Sequence, residues 1–225
     1  LLGCLRRERL PDLPNPAPGC RAIAVFTGAT DAFTRANIGM SIKESLKVFA
    51  RITERAKKEK LRLRGYVSTC WGCPYEGAVP QARVVKLARE LLAMEIEQVS
   101  LGDTIGVASP LQVSNLLSKL KPEIRADRIA GHFHDTRGTA LANCYTAMAI
   151  GVRTLDSSGA GLGGCNYAPG ASGNVATEDL VYMLGKMGVK TGVYLDRLCE
   201  ASAIAINGLG RLPFSRYLQA WLSTK

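Results

Sequence analysis

Only two histidines occur among the 225 residues, aromatics make up just 6%, and no apolar run approaches the length of a membrane span. A bilayer-crossing helix needs about 20 consecutive apolar residues. Here the longest apolar stretches are interrupted by Gly, Arg or Lys, which argues against a membrane partner. A second C-x-x-C beside Cys70-Trp71-Gly72-Cys73 is also missing, as is a nearby His, so that motif lacks the four ligands of a structural zinc site. No G-x-G-x-x-G turn follows the first strand, which weakens a doubly wound dinucleotide-binding sheet as the alternative architecture. Seven cysteines, an odd number in mostly apolar or glycine-rich contexts, favour reduced thiols over a disulfide framework.

The net charge is +10. Its Lys and Arg are spread over expected helix surfaces, with no basic stripe interleaved with aromatics. Nucleic acid is therefore not the expected partner, whereas a basic rim suits an anionic small substrate. Hydrophobic residues make up 47% of the chain, enough for a sizeable core.

Leu1 to Cys20 is rich in Arg and Pro and shows no periodicity, so it reads as an irregular head (residues 1–20) before an ordered domain (residues 21–225). From Arg21 onward, short apolar runs alternate with amphipathic stretches. Strands are expected at 22–26, 61–68, 96–103, 128–134 and 153–157. Helices are expected from Ser41, whose capping box with Glu44 opens a run to about Glu59, and at 80–94, 110–120, 138–150, 177–187 and 193–209. A sixth, short strand is expected inside the glycine-rich region. Units of this size describe repeated βαβ elements with parallel strands. The leading architecture is a (β/α)₈ TIM barrel, incomplete here, with the first one or two βα units missing.

Chemistry concentrates at the ends of the expected strands, where the active sites of such barrels lie. Both histidines fall in Gly131-His132-Phe133-His134-Asp135-Thr136. Two residues apart on a strand, His132 and His134 point to the same side and suit a divalent first-row metal. Asp103, in Leu101-Gly102-Asp103-Thr104, ends the preceding strand; it lies too far before Ser109 to cap the next helix, which favours a functional carboxylate. Gly159 to Ala168 reads as a mobile glycine-rich loop that carries Cys165 to a reaction centre, with an incidental linker as its alternative. Asn174 offers an amide oxygen that can complete a metal shell.

Taken together, these motifs resemble the 3-hydroxy-3-methylglutaryl-CoA lyase family, from about Arg21 to Leu209. The resemblance runs through Phe26-Thr27-Gly28, Arg64-Gly65-Tyr66-Val67-Ser68, Gly72-Cys73-Pro74-Tyr75-Glu76-Gly77, Ser100 to Gly106, the H-F-H-D-T stretch, and Gly170 to Asn174 leading into Ala176 to Tyr182. H-x-H would fit the wider superfamily; the Ser158 to Cys165 loop is far more specific, with Gly159 and Asn166 standing where Val and Pro are usual. The resemblance implies that His132, His134 and Asn174 bind Mg²⁺ or Mn²⁺, that Cys165 assists proton transfer, and that Asp103 supports the metal site. It also implies that Tyr66 and Thr104 face the acyl group and that Asn37 lies near the CoA portion of a small-molecule acyl-CoA substrate. The implied reaction splits 3-hydroxy-3-methylglutaryl-CoA into acetyl-CoA and acetoacetate, as in leucine degradation and ketone-body formation. A homodimer is a possible assembly. The implied setting is a reducing compartment, the cytoplasm of a bacterium or otherwise the mitochondrial matrix.

One departure carries weight. The family's first strand bears an Arg-Asp pair, the Asp a metal ligand, and its second strand a Glu; none has a counterpart here, and Arg7, Glu8 and Arg9 match no strand motif. Weak or absent turnover is therefore expected of the chain as it stands. Two other readings remain open: a related enzyme condensing an acyl-CoA with a 2-oxo acid, and a non-catalytic CoA-binding fragment.

Overall fold

The computed structural model describes residues 19–166 and 173–224. The expected irregular head lies outside them except for Gly19 and Cys20, as do Tyr167 and Ala168 of the glycine-rich stretch and Gly170, Ala171 and Ser172 of the following motif. Five parallel strands form the main sheet: β1 (Ala22–Gly28), β2 (Arg62–Ser68), β5 (Gln98–Asp103), β6 (Ile129–Phe133) and β7 (Thr154–Asp156). A small antiparallel pair, β3 (Gly72–Cys73) and β4 (Gly77–Ala78), branches off after β2. The helices are α1 (Asp31–Ile38), α2 (Ile42–Lys58), α3 (Gln81–Ala93), α4 (Pro110–Leu120), α5 (Ala140–Ile150), α6 (Thr177–Lys186), α7 (Leu195–Leu209) and α8 (Arg216–Leu222).

The spatial order of the main strands is their order along the chain, β1-β2-β5-β6-β7. A doubly wound sheet reverses direction at a switch point, whereas a barrel winds one way throughout. The order here is that of a barrel wall. Among the described residues the wall is open, with β1 and β7 at its edges. The short strand expected in the glycine-rich region is present only as isolated bridges, His134 with Asn174 and Ser158 with Ala176.

Each strand sorts its residues by parity. Leu63, Val67, Val99, Leu101, Ile129 and Phe133 are buried and join the core formed with Val84, Leu87, Leu91, Val113, Leu116 and Leu120 from α3 and α4. Residues of the opposite parity, Arg64, Tyr66, Ser100, His132 and Asp156, project to the inner face and are mostly polar. Gly65 gives the α3 side close access: a β-carbon there would meet Leu91 Cδ1 at 3.2 Å and Ile96 Cγ2 at 3.3 Å.

Two helices go beyond the sequence expectation. Thr30 caps α1, and Gly39, in the left-handed region, closes it. Helix α8 follows α7, which had been expected to be the last; it is held by Asp179 of α6, whose carboxylate accepts from Ser215 Oγ at 2.8 Å and from the Arg216 and Tyr217 amides at 3.1 and 2.7 Å. The expected α2 is present with its Ser41–Glu44 capping box. Cys70 and Cys73 are buried thiols.

Leu91→Ala is expected to cost about 2–5 kcal/mol of unfolding free energy in urea titrations, because the site is fully buried and cannot collapse freely. Ile204→Ala, at a side chain 75% exposed, should change it by no more than about 0.5 kcal/mol. Equal effects of the two substitutions would contradict this assignment of the core.

Candidate active site

The two histidines meet at the carboxyl end of β6. His132 belongs to the strand; His134 lies one residue beyond it, with its backbone bridged to Asn174. Val175 N donates to Phe133 O at 3.1 Å and Asp135 N to Gly173 O at 3.2 Å, so the backbone of 173–175 is pinned alongside the histidines. Asn174 Nδ2 donates to Leu162 O at 3.0 Å, leaving its Oδ1 as the acceptor end.

The Nε2 atoms of His132 and His134 lie 3.3 Å apart. Two ligands about 2.1 Å from one ion stand roughly 3 Å apart at a right angle and roughly 3.4 Å apart at a tetrahedral angle. The spacing thus fits one divalent ion shared by both rings. His134 is only 5% exposed, and its Nδ1 is buried without a full hydrogen bond. Burial first, then the neighbouring His132, pushes its pKa down to about 4, against the pull of the Thr104 carbonyl. A neutral imidazole is the form that ligates a metal. Among the described residues no group of three His, Cys, Asp or Glu side chains could hold a metal ion; the amide of Asn174, whose backbone is bridged to His134, is the further candidate donor beside the pair.

Neither Asp156 nor Arg64 was singled out from the sequence as a site residue, yet both sit beside the pair. Asp156 Oδ2 lies 3.3 Å from His132 Nδ1 and accepts from Ser100 Oγ at 3.0 Å, while its Oδ1 accepts from Arg64 Nη1 at 2.7 Å. Burial alone would raise the Asp156 pKa; the His132 hydrogen bond and the Arg64 charge outweigh it and hold the carboxyl below its usual range. An acid closing a barrel strand was the signal available for Asp156.

Tyr66 is brought to the same place. Its ring stacks on Phe26 at 4.6 Å and meets the His132 ring edge-on at 6.1 Å, and its hydroxyl accepts from Arg64 at 2.9 Å. Thr104 is buried, and its Oγ1 accepts from Thr69 N at 2.7 Å, tying the loop after β5 to the loop after β2. Asn37 is half-buried on α1, directly after β1. Asp103 behaves differently from these. It is fully buried, and its carboxylate accepts from the Val107 and Ala108 amides, both at 3.0 Å. Burial raises its pKa while those amides lower it, and the carboxylate serves to shape the 104–108 turn.

The base of the cysteine-bearing loop is pinned. Ala160, with φ 56°, donates its amide to both oxygens of the fully buried Glu178, at 2.9 and 3.0 Å. Phe214 N returns to Ala160 O at 3.1 Å. Gly163, with φ 99°, passes so close to Asn174 that a β-carbon would lie 2.7 Å from Nδ2, so only glycine serves there. The loop therefore leans on the amide side chain of the candidate metal site, and half-buried Cys165 follows two residues later. Glu178 was part of a matched motif, but nothing in its spacing announced this buried role.

Comparisons with known proteins show the family and fold of the chain. Residues 12–205 match the HMGL-like family model. The chain is 48% identical over 204 residues to the mitochondrial hydroxymethylglutaryl-CoA lyase of Bos taurus, covering 91% of this chain and 63% of that protein. The solved HMG-CoA lyase of Bacillus subtilis superposes with a TM-score of 0.87 at 46% identity, covering 90% of this chain and 68% of that one. An HMG-CoA lyase solved with coenzyme A and 3-methylmalate, from Acinetobacter baumannii, gives a TM-score of 0.85 at 36% identity over 89% of this chain and 65% of that one. The chain thus spans about two thirds of the length of these relatives.

The His134 pKa sets a pH test. An unfolded histidine titrates near 6.5, so between that value and about 4 the unfolded state binds the extra proton and stability rises with pH. Lowering the pH of the metal-free chain through this window should therefore remove up to about 1.4 kcal/mol per pH unit. Urea titrations of a His134→Gln variant should show a shallower acid limb; an unchanged slope would contradict the burial of a neutral ring.

Proposed function

The chain belongs to the HMGL-like family, and from that premise we propose that it serves the metal-dependent cleavage of 3-hydroxy-3-methylglutaryl-CoA to acetyl-CoA and acetoacetate. The observation that carries this reading is the pair of imidazole Nε2 atoms 3.3 Å apart at the carboxyl end of β6, with the Asn174 backbone bridged to that of His134.

In this reading His132, His134 and Asn174 hold Mg²⁺ or Mn²⁺. A divalent ion there supplies Lewis acidity toward the substrate's C3 oxygen. The C3 hydroxyl gives up its proton to a base such as a water molecule, a ketone forms at C3 as the bond between C2 and C3 breaks, and that bond's electron pair moves onto the thioester as an enolate. In this reading Cys165 would protonate that enolate at C2, with the pinned base of the glycine loop holding the segment that carries the thiol. Tyr66 and Thr104 face the acyl group, Asn37 lies toward the CoA portion, and Asp103 supports the site by fixing the turn that carries Thr104. The coenzyme A bound by the Acinetobacter baumannii relative supports an acyl-CoA as the substrate class. Relatives include bacterial and mitochondrial forms, and the chain acts in one of those compartments. Among the described residues no helix is long and apolar enough to cross a membrane.

Titration of the purified chain with Mn²⁺ should reveal one site by calorimetry, lost in His132→Ala/His134→Ala. Acetoacetate release from 3-hydroxy-3-methylglutaryl-CoA, though weak, should stop on adding EDTA and fall by about 100-fold in Cys165→Ala. A chain that binds no Mn²⁺, or whose double variant binds it equally well, contradicts the proposal. Condensation of acetyl-CoA with a 2-oxo acid, or CoA binding with no bond cleaved, would point to another activity instead.

A further inference from the structure

His132 has two ring nitrogens, and only one can carry the proton in the neutral form. Nδ1 lies 3.3 Å from the Asp156 carboxylate, and Nε2 lies 3.3 Å from the neutral ring of His134. The distances are equal, so the chemistry of the acceptors decides. A hydrogen bond to an ionised carboxylate is roughly twice as strong as one between neutral groups. The proton therefore goes to Nδ1, and the Nε2 lone pair is left facing His134.

The carboxylate is in turn held from the far side. Asp156 stands opposite His132 in the β6–β7 register. Arg64 Nη1 donates to its Oδ1 at 2.7 Å and to Tyr66 OH at 2.9 Å, while Arg64 Nε and Nη2 both donate to Gln98 Oε1, at 2.9 and 2.6 Å. Gln98 Nε2 then donates to Thr154 Oγ1 at 3.0 Å, so the contacts run across β2, β5 and β7 on the inner face. An arginine fork fixed at three points has little freedom to turn toward a substrate.

We propose that Asp156 is a positioning residue: backed by Arg64, it locks His132 in the Nδ1–H tautomer and orients the Nε2 lone pair for the metal. The consequence for metal affinity rests on the metal-site reading above; the tautomer does not. The decisive substitution is Asp156→Asn, nearly identical in shape. Arginine can only donate, so Arg64 claims the amide oxygen. The amide nitrogen is then turned toward His132 as a donor, and the ring must answer with an unprotonated Nδ1. Its proton moves to Nε2 and points into the metal position.

Because the chain contains only two histidines, long-range ¹H–¹⁵N NMR resolves both rings. In the metal-free wild type, His132 should be the Nδ1–H tautomer; in Asp156→Asn it should become Nε2–H. Calorimetric Mn²⁺ affinity should then fall by about 10- to 100-fold, as when the outer partner of a ligating histidine is removed. Ser100→Ala removes a different contact of the same carboxylate and should keep the wild-type tautomer, which separates loss of the acceptor from general loosening; it also reports if Asp156→Asn fails to fold. A wild-type His132 protonated on Nε2, an unchanged tautomer in folded Asp156→Asn, or a tautomer shifted equally by Ser100→Ala would overturn the assignment. If the tautomer switches as described but neither protein binds Mn²⁺, the positioning role stands and the metal reading fails.

Discussion

The carboxylate of Asp156, shared between Arg64 and His132, is the contact on which the rest of the site depends. It joins the last strand of the described sheet to the histidine strand and, through Arg64, to β2. The inner face of an open sheet would otherwise leave the Arg64 guanidinium half-buried without a counterion. Pairing and full hydrogen bonding are what make burial of such groups affordable. Because the two residues share a register, the pairing of β6 with β7 also sets which partner the His132 ring meets.

A second constraint acts from the other side. Glu178 takes the Ala160 amide with both oxygens and so fixes a left-handed, non-glycine residue at the start of the cysteine loop. That conformation costs of order 1–3 kcal/mol and persists only where its surroundings hold it. Here they include Phe214 N on the Ala160 carbonyl and a small separate core of Ala160, Cys199, Ile206 and Leu218 beneath the loop. Gly163 then threads past Asn174. The loop base and the candidate metal donors are thus one packed unit, and a shift in either moves the other.

Much of this was legible in the sequence. Five strands and most helices fell where apolar runs and capping signals placed them, because local periodicity reports which face is buried. The inward pairing of His132 and His134 followed from strand parity alone. Helix α8 was not legible: seven residues after a proline carry little periodicity, and beyond its local Ser215 cap the helix start is held by Asp179, from a helix more than thirty residues earlier. Asp156 escaped for a similar reason, since its role appears only once β7 is set in register against β6. Asp103 was legible as an acid ending a strand, but its contacts were not: its carboxylate accepts from the Val107 and Ala108 amides, which spacing alone does not announce.

The central claim is that both imidazoles bind one divalent ion through Nε2. Pulsed electron paramagnetic resonance of the Mn²⁺-loaded chain tests it most directly, using protein labelled with ¹⁵N only in histidine. Couplings from two directly bound histidine nitrogens are expected, reduced to one in His132→Ala. A spectrum of Mn²⁺ surrounded only by oxygen, or one histidine coupling that survives both single histidine substitutions, would contradict it.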